Sequence, residues 1–448
     1  MGKTIIISNR LPVKIEQENN ELVYKASEGG LATGLNSVFK QGNNLWVGWP
    51  GLAIEKSQEK EVHSNLIKQH MKPVFLSSEE IEDFYEGFSN ETLWPNFHYF
   101  NQYTVYKEEL WLAYQRVNQK FAEIVSEELE DDDTVWIHDY QLLLLPQLIR
   151  AISPNATIGF FLHIPFPSYE SFRLLPWRRE LLNGMLGADF LGFHTYDDMR
   201  HFLSSVNRLA GLGNSNGTIK VKNRLIKADA LPMGIDYEKY AASAQDPETL
   251  AREARYRESI GTVKLILSID RLDYSKGIPQ RLRAFELFLS KYPDFKEKVS
   301  LFMVVVPSRD SVSKYKQLKE EIDLLVGRIN GQFSKLNWTP IHYFYRSFPL
   351  PALSAFYRIS DVALVSPMRD GMNLVCKEYV ASRLDKKGVL ILSEMAGASK
   401  ELSDAIIVNP NDIHQLVEAM HKALTLPEEL QIESMTSMQK SLKRYNIH

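Results

Sequence analysis

Residues Val263–Lys291 read VKLILSIDRLDYSKGIPQRLRAFELFLSK. Val263 to Ile269 is a short β-branched and apolar run of strand length, and Pro279 to Lys291 carries a helical pattern. Between them lies the polar loop Arg271-Leu272-Asp273-Tyr274-Ser275-Lys276-Gly277. A strand, a loop and a helix in that order form half of a parallel crossover unit, whose ligands bind outside the carboxyl ends of the strands. Arg271 can fork two oxygens of a diphosphate, and Lys276 adds a point charge. The competing reading is a solvated surface loop in which Asp273 pairs with one of these cations.

The same alternation runs along almost the whole chain and predicts an α/β fold with parallel sheets. In the first half it places strands at Thr4 to Ser8, Leu45 to Val47, Thr134 to His138, Thr157 to His163 and Asp189 to Phe193. Helices are expected at Leu110 to Glu128, Gln141 to Ala151 and Asp197 to Leu209, and a hairpin-type pair over Ile219 to Pro232. The second half offers strands at Leu301 to Val306, Ile341 to Tyr345, Asp361 to Val365, Val389 to Leu392 and Ala405 to Val408. Helices fit at Ser311 to Arg328, Ala352 to Arg358 and Leu374 to Arg383. A polar stretch after Gly234 separates the halves, so two domains are expected, 1–235 and 236–448. With 448 residues and 44% hydrophobic content, each half can bury its own core.

A net charge of -4 provides no global positive field for nucleic acid or an anionic membrane. The single cysteine, Cys376, excludes an internal disulfide and a thiolate zinc site. The N-terminus passes from Lys3 straight into a strand, without the apolar core of a signal peptide. No apolar run approaches the ~20 residues that cross a bilayer. A cytoplasmic location is expected.

Three further constellations bear on chemistry. Ser27 to Gly34, with Gly29 and Gly30, opens a helical pattern where backbone amides can approach a phosphate; taken alone, an ordinary glycine turn is the favoured reading. Met368-Arg369-Asp370-Gly371-Met372-Asn373-Leu374 stands at a strand end and a helix start, followed by Lys377 and by Glu378, placed to accept from a ribose diol. An Asp N-cap beside a surface glutamate is its structural alternative. His138-Asp139 and His163 end two presumptive parallel strands and aim at one crevice. No metal-ligand spacing accompanies them, so no metal is assigned. Aromatic residues concentrate in Phe84 to Phe100 and Leu45 to Trp49, and rings of this kind stack on sugars. Leu110, Leu112, Tyr114 and Phe121 are read as core, and His98 and Trp46 remain unassigned.

Taken together, the segments SNRLPV, GGLATGL, FSNETLWPNFHY, WIHDYQLLLLP, GFFLHIPFP, LGADFLGFHTYDD, RLDYSKG, RDGMNLVCKEYV and SEMAGASKEL resemble the trehalose-6-phosphate synthases, retaining glycosyltransferases of the GT-B class. The similarity runs from Ile5 to about Pro410. It implies two Rossmann-like domains whose parallel sheets face a central cleft, the first binding acceptor and the second nucleotide-sugar donor. The implied substrates are UDP-glucose and glucose 6-phosphate, the implied product α,α-trehalose 6-phosphate, and no cofactor is involved. Carried over by position, Arg271 and Lys276 match ligands of the donor diphosphate, helped by Gly29 and Gly30. Leu374 and Glu378 match contacts to the nucleotide phosphate and ribose. Asp370 and His163 match residues holding the donor glucose, and Asp139 reaches the reacting sugars. Arg10, Trp49, Tyr85, Trp94 and Arg309 match the acceptor pocket.

The chain departs from this pattern at Lys440 to His448, where relatives usually continue into a further helix. Some relatives carry a downstream phosphatase with a D-x-D-x-[TV] motif; the match at Asp131 to Val135 precedes a first-domain strand and is read as an acidic turn. A phosphatase partner, fused or separate, and a homo-oligomer stay open. A related transferase using glycerol 3-phosphate and a catalytically silent regulatory homologue are the rival readings.

Overall fold

The computed structural model describes residues 2–18, 21–26, 35, 39, 43–309 and 312–447. Its internal contacts divide the chain into two units, Met1–Pro232 and Met233–His448. The sequence expectation put the break near residue 235.

In the first unit the strands are β1 (Thr4–Arg10), β2 (Val13–Glu18), β3 (Glu21–Ala26), β4 (Asn44–Trp49), β5 (Met71–Pro73), β6 (Thr134–His138), β7 (Thr157–Phe161), β8 (Phe190–Phe193), β9 (Asn214–Ser215), β10 (Thr218–Val221) and β11 (Arg224–Ala230). One sheet takes the order β5-β4-β1-β6-β7-β8-β11-β10-β9, while β2 and β3 form a separate antiparallel ribbon. Pairing is parallel from β5 to β11 and antiparallel from there to the edge. Parallel strands are covered on both faces, which is why Ile5, Ile6 and Ile7 are all buried rather than alternating with polar residues.

The second unit contains β12 (Lys264–Arg271), β13 (Val299–Val306), β14 (Ile341–Phe344), β15 (Val362–Val365), β16 (Val389–Ser393) and β17 (Ile406–Val408). These lie in the order β14-β13-β12-β15-β16-β17, all parallel. Successive side chains feed opposite faces: Ile266, Leu301, Met303 and Val305 enter one core, and Leu265, Leu267, Phe302 and Val304 the other. In each sheet the chain starts in the middle, winds to one edge, then returns and winds to the other. That reversal defines a switch point between β1 and β6, and another between β12 and β15.

Local deviations have local causes. The helix expected over Gln141 to Ala151 is a 3₁₀ turn, Tyr140–Leu142, followed by a helix, Leu145–Ile152, because Pro146 suits only a first turn. Leu110, Tyr114 and Phe121 are buried, but Leu112 is 45% exposed, contrary to its reading as core. Two positions beyond Leu110 on a helix is about 200° of rotation. Ile81–Leu93, in the aromatic stretch, is a π-helix. No helix among the described residues is long and apolar enough to cross a membrane.

One residue breaks the amphipathic pattern of the helix Ile278–Lys291. Ile278, Leu282 and Phe285 line its apolar stripe, and Arg281 falls within that stripe, wholly buried. It pairs with Asp270 at 2.7 Å and donates to Ser268, to Ser366 at 3.1 Å and to the Lys276 carbonyl at 3.1 Å. Removing one member of a buried ion pair strands the other. Arg281→Met is therefore expected to destabilise the second unit by about 3–5 kcal/mol, and Arg281→Met/Asp270→Asn by less, measured by denaturant unfolding.

Candidate functional site

In the second unit the switch point is framed by the loop after β12 and the loop after β15. Arg271 ends β12, exposed, and Asp273 caps the 3₁₀ turn Tyr274–Lys276 through the Ser275 amide at 2.9 Å. Gly277 follows at φ +67, where a Cβ would stand 2.7 Å from the Ser366 carbonyl oxygen. Only glycine fits that conformation and approach. The loop after β15 is hydrogen-bonded to this turn, since the Met368 and Arg369 amides donate to the Ser275 carbonyl at 2.7 and 3.2 Å.

These bonds bring Lys276 and Asp370 together, Nζ to Oδ2 at 2.5 Å, although 94 residues separate them. Asp370 also accepts from the Asn373 side chain at 3.1 Å. The helix Leu374–Ser382 is capped by Asn373, whose side-chain oxygen Oδ1 accepts from the Cys376 amide at 3.2 Å, so Asp370 is not the N-cap that the alternative reading required. Asn373 takes φ 75, an uncommon backbone for a side-chain-bearing residue. Glu378 is clamped by two tyrosines: Tyr240 donates to Oε1 at 3.0 Å and Tyr357 to Oε2 at 2.7 Å. Burial pushes its carboxyl above the ordinary range, and the two hydroxyls act against that shift. Arg309 is paired with Asp273 at 3.2 Å. Asp273 thus has a cationic partner from the loop after β13 as well as the turn amide it caps.

In the first unit the switch point lies between Arg10, which ends β1, and His138-Asp139, at the end of β6. Arg10 stacks over Trp49 at 4.7 Å and Tyr85 at 5.3 Å, and those rings are 5.5 Å apart. No carboxylate pairs with Arg10 among the described residues. Trp94 stacks on His98 at 4.0 Å and approaches Tyr140 at 5.6 Å.

His138 and His163 meet at 3.0 Å, Nδ1 to Nε2. Burial pushes the His138 imidazole down to about 3 and holds His163 well below its ordinary value, with His138 and His194 adding to the latter. Both rings are neutral at pH 7. Asp139 adopts φ 78 and ψ 170, a region normally reserved for glycine. It is held there from two sides: its amide donates to the Phe161 carbonyl at 2.8 Å, and its Oδ1 accepts from the His163 amide at 3.2 Å.

Within the second unit, then, Arg271, Lys276, Asp370, Leu374 and Glu378 stand on the loops and helix that frame one switch point, and Arg309 reaches it from the loop after β13 through Asp273. Within the first, Arg10, Trp49 and Tyr85 form one cluster, Asp139 and His163 another, and Trp94 stacks nearby in sequence on His98. Gly29 and Gly30 lie outside the described residues. Sequence reasoning passed over Arg281, Tyr240, Tyr357 and Tyr315. Only Arg281 carried a signal, a charge on an apolar helical stripe. Within Asp131 to Val135, Asp133 accepts from the Lys3 amide at 2.8 Å and the Glu130 amide at 3.0 Å, and Thr134 begins β6. A separate cavity of about 420 Å³, lined by Phe302, His342, Arg346 and Phe356 among others, includes none of the predicted residues.

Two doubly wound α/β units are the architecture of the GT-B class, and solved structures of such enzymes share this fold. The family model of glycosyltransferase family 20 matches residues 2–448, and the chain belongs to that family. It is 46% identical over 456 residues to a bifunctional trehalose-6-phosphate synthase/phosphatase of Thermoproteus tenax, covering 99% of this chain and 62% of that one. The chain thus spans less than two thirds of that relative. It is 43% identical to the 56 kDa subunit of a UDP-forming α,α-trehalose-phosphate synthase of Kluyveromyces lactis, covering 99% of this chain and 93% of the other. A crystal structure of a UDP-forming synthase from Burkholderia xenovorans in complex with glucose 6-phosphate superimposes with a TM-score of 0.90 at 33% identity, covering 100% of this chain and 97% of that one.

Two expectations follow from the first unit. Alanine at position 139 keeps the strained backbone and loses the carboxylate, whereas glycine loses the carboxylate and relaxes the strain. Asp139→Gly should therefore be more stable than Asp139→Ala by about 1–2 kcal/mol in urea titrations, after allowing for the entropy of an unfolded glycine. For His138, the unfolded chain binds a proton below the ordinary value of 6.5, and the folded chain refuses it until about 3. Stability should then fall as pH drops through that window, by up to about 1.4 kcal/mol per pH unit for this one group. Asn in its place should flatten the slope between pH 6 and 4, read as unfolding free energy against pH.

Proposed function

We propose that this chain is a retaining glucosyltransferase that moves glucose from UDP-glucose to glucose 6-phosphate, giving α,α-trehalose 6-phosphate and UDP. The observation that carries the reading is the Lys276–Asp370 contact of 2.5 Å at the switch point of the second unit. A cation suited to a diphosphate stands there beside a carboxylate suited to sugar hydroxyls, in a chain of glycosyltransferase family 20. The relatives named above are trehalose-phosphate synthases, and one was crystallised with glucose 6-phosphate.

In this reading Arg271 and Lys276 bind the donor diphosphate, with Gly29 and Gly30 contributing amides, while Leu374 at the helix start and Glu378 take the nucleotide phosphate and the ribose. Asp370, His163 and Asp139 orient the donor glucose. Arg10, Trp49, Tyr85, Trp94 and Arg309 bind the acceptor, the arginines facing its phosphate. The acceptor's C1 hydroxyl oxygen attacks the donor C1 on the face the diphosphate leaves. The C1–O bond to the diphosphate breaks as the new glycosidic bond forms, and the hydroxyl proton passes to a diphosphate oxygen. Configuration is thereby retained. Neutral His163 suits hydrogen bonding to sugar hydroxyls, whereas an imidazolium would compete for the diphosphate. The protein's share of the catalysis is positioning and stabilisation of the leaving charge. Dephosphorylation of the product is assigned to a different active site, in a fused domain or a separate chain, and the location to the cytoplasm.

The test is a matrix of nucleotide-glucose donors against glucose 6-phosphate and glycerol 3-phosphate, scored by product mass and anomeric configuration. UDP-glucose with glucose 6-phosphate should give the fastest turnover and an α,α product, and exhaustive treatment with a chelator should leave that rate unchanged. A β-configured product, faster use of glycerol 3-phosphate, or no turnover with any pair would each reject the proposal.

A further inference from the structure

Asp273 joins the loop after β12 to the loop after β13. Its carboxylate is 2% exposed and divides its two oxygens between them. Oδ1 accepts from the Ser275 amide at 2.9 Å and so fixes the turn that carries Lys276. Oδ2 accepts from Arg309 Nη1 at 3.2 Å and from the Tyr315 hydroxyl at 3.1 Å. Arg309 also donates to the Tyr315 oxygen, which closes a triangle of three side chains. Tyr315 rises from the helix Ser313–Phe333, is buried to 1%, and lies 5.5 Å from the Tyr274 ring and 5.5 Å beneath the Arg309 guanidinium.

The backbone supports the same conclusion. Arg309 takes φ 54, a left-handed conformation that is unfavourable for an arginine and persists only where the surroundings impose it. The Asp273 and Tyr315 contacts, together with the Val312 amide bonded to the Arg309 carbonyl at 3.0 Å, supply that restraint. β12 and β13 pair in register to their ends, Arg271 opposite Val306, so both loops leave the sheet side by side.

We propose that Asp273 is a positioning residue shared by the two substrates, holding the Lys276 turn for the donor with one oxygen and Arg309 for the acceptor phosphate with the other, and that Tyr315 serves the acceptor side alone. The inference rests on the roles given to Lys276 and Arg309 above. A buried carboxylate that accepts charge-assisted hydrogen bonds is costly to disturb, and each oxygen here governs a different loop. Loss of the charge therefore acts on both loops, whereas loss of the tyrosine hydroxyl leaves the Ser275 bond intact.

The experiment measures UDP affinity, and glucose 6-phosphate affinity at saturating UDP, by calorimetry on the full chain. Asp273→Asn should weaken both about tenfold or more, and Tyr315→Phe should weaken glucose 6-phosphate severalfold without moving UDP. Arg309→Ala should lower glucose 6-phosphate affinity alone, and adding Asp273→Asn to it should cost no further acceptor affinity while still weakening UDP, since the two act through one contact. A purely structural role would lower the melting temperature without this division. The proposal is overturned if Asp273→Asn affects one ligand only, if Tyr315→Phe weakens both equally, or if the double variant is additive for the acceptor. Should Asp273→Asn fail to fold, Tyr315→Phe, which removes a single oxygen, decides by the same division. Arg309→Ala with unchanged acceptor affinity would instead reject the role of Arg309, and the UDP arm of Asp273→Asn would still report on the turn.

Discussion

The buried pair of Arg281 and Asp270 is the interaction on which the second unit's site depends. A charge on an apolar helical stripe is tolerated only if every donor finds a partner, and Arg281 finds them in three segments at once. Asp270 and Ser268 belong to β12, the Lys276 carbonyl to the loop beyond it, and Ser366 to the end of β15. Those segments are the two sides of the switch point. The guanidinium thus ties the loop bearing Lys276 to the end of β15, alongside the Met368 and Arg369 amides on the Ser275 carbonyl, and the 2.5 Å contact between Lys276 and Asp370 lies within this frame. An apolar residue would pack as well and join nothing. A buried ion pair is weak evidence for stability, so its use here is better understood as specifying geometry.

Polar constraint of this kind recurs around the predicted residues. Glu378 is clamped by two tyrosine hydroxyls, Asp273 by an amide, an arginine and a tyrosine, and Asp139 by two backbone groups at the end of β7, the Phe161 carbonyl and the His163 amide. Asp139, Arg309 and Asn373 all carry positive φ values at the ends of elements. Such conformations cost on the order of 1–3 kcal/mol each and survive because the surrounding sheet over-determines them. The two units arrive at this separately, each at the point where its strand order reverses. In the second unit the two loops there are bonded to each other, through the Met368 and Arg369 amides and the Lys276–Asp370 pair, at the carboxyl ends of the strands where ligands of open α/β sheets bind.

The neutral histidines belong to the same logic. His138 is wholly buried at the end of β6, where desolvation disfavours its protonated form, and its contact with His163 places two uncharged rings beside Asp139. A site meant for sugar hydroxyls gains from groups that donate and accept without net charge. The positive charges, Arg271, Lys276 and Arg309, stand in the second unit, and Arg10 is set on aromatic faces in the first.

Much of this was legible before the fold was known. The alternation of β-branched runs with helical patterns determined the α/β class, because burial on both faces demands continuous apolar strands and crossover helices. Long motif words assigned the candidate residues through their resemblance to a known family, and the loops at Arg271 to Gly277 and Met368 to Leu374 could also be read directly as strand-end, helix-start segments suited to an anion. What the sequence could not contain was distance across it. The Lys276–Asp370 and Asp273–Arg309 contacts, the tyrosines clamping Glu378 and the His138–His163 pair each join segments that only sheet order brings side by side. Leu112 and the interruption by Pro146 show the same limit at short range, where a two-residue rotation or one ring decides which face is wet. Periodicity records which side of an element is buried; the partner across the sheet is chosen by strand order and register, and these emerge only when the whole chain packs.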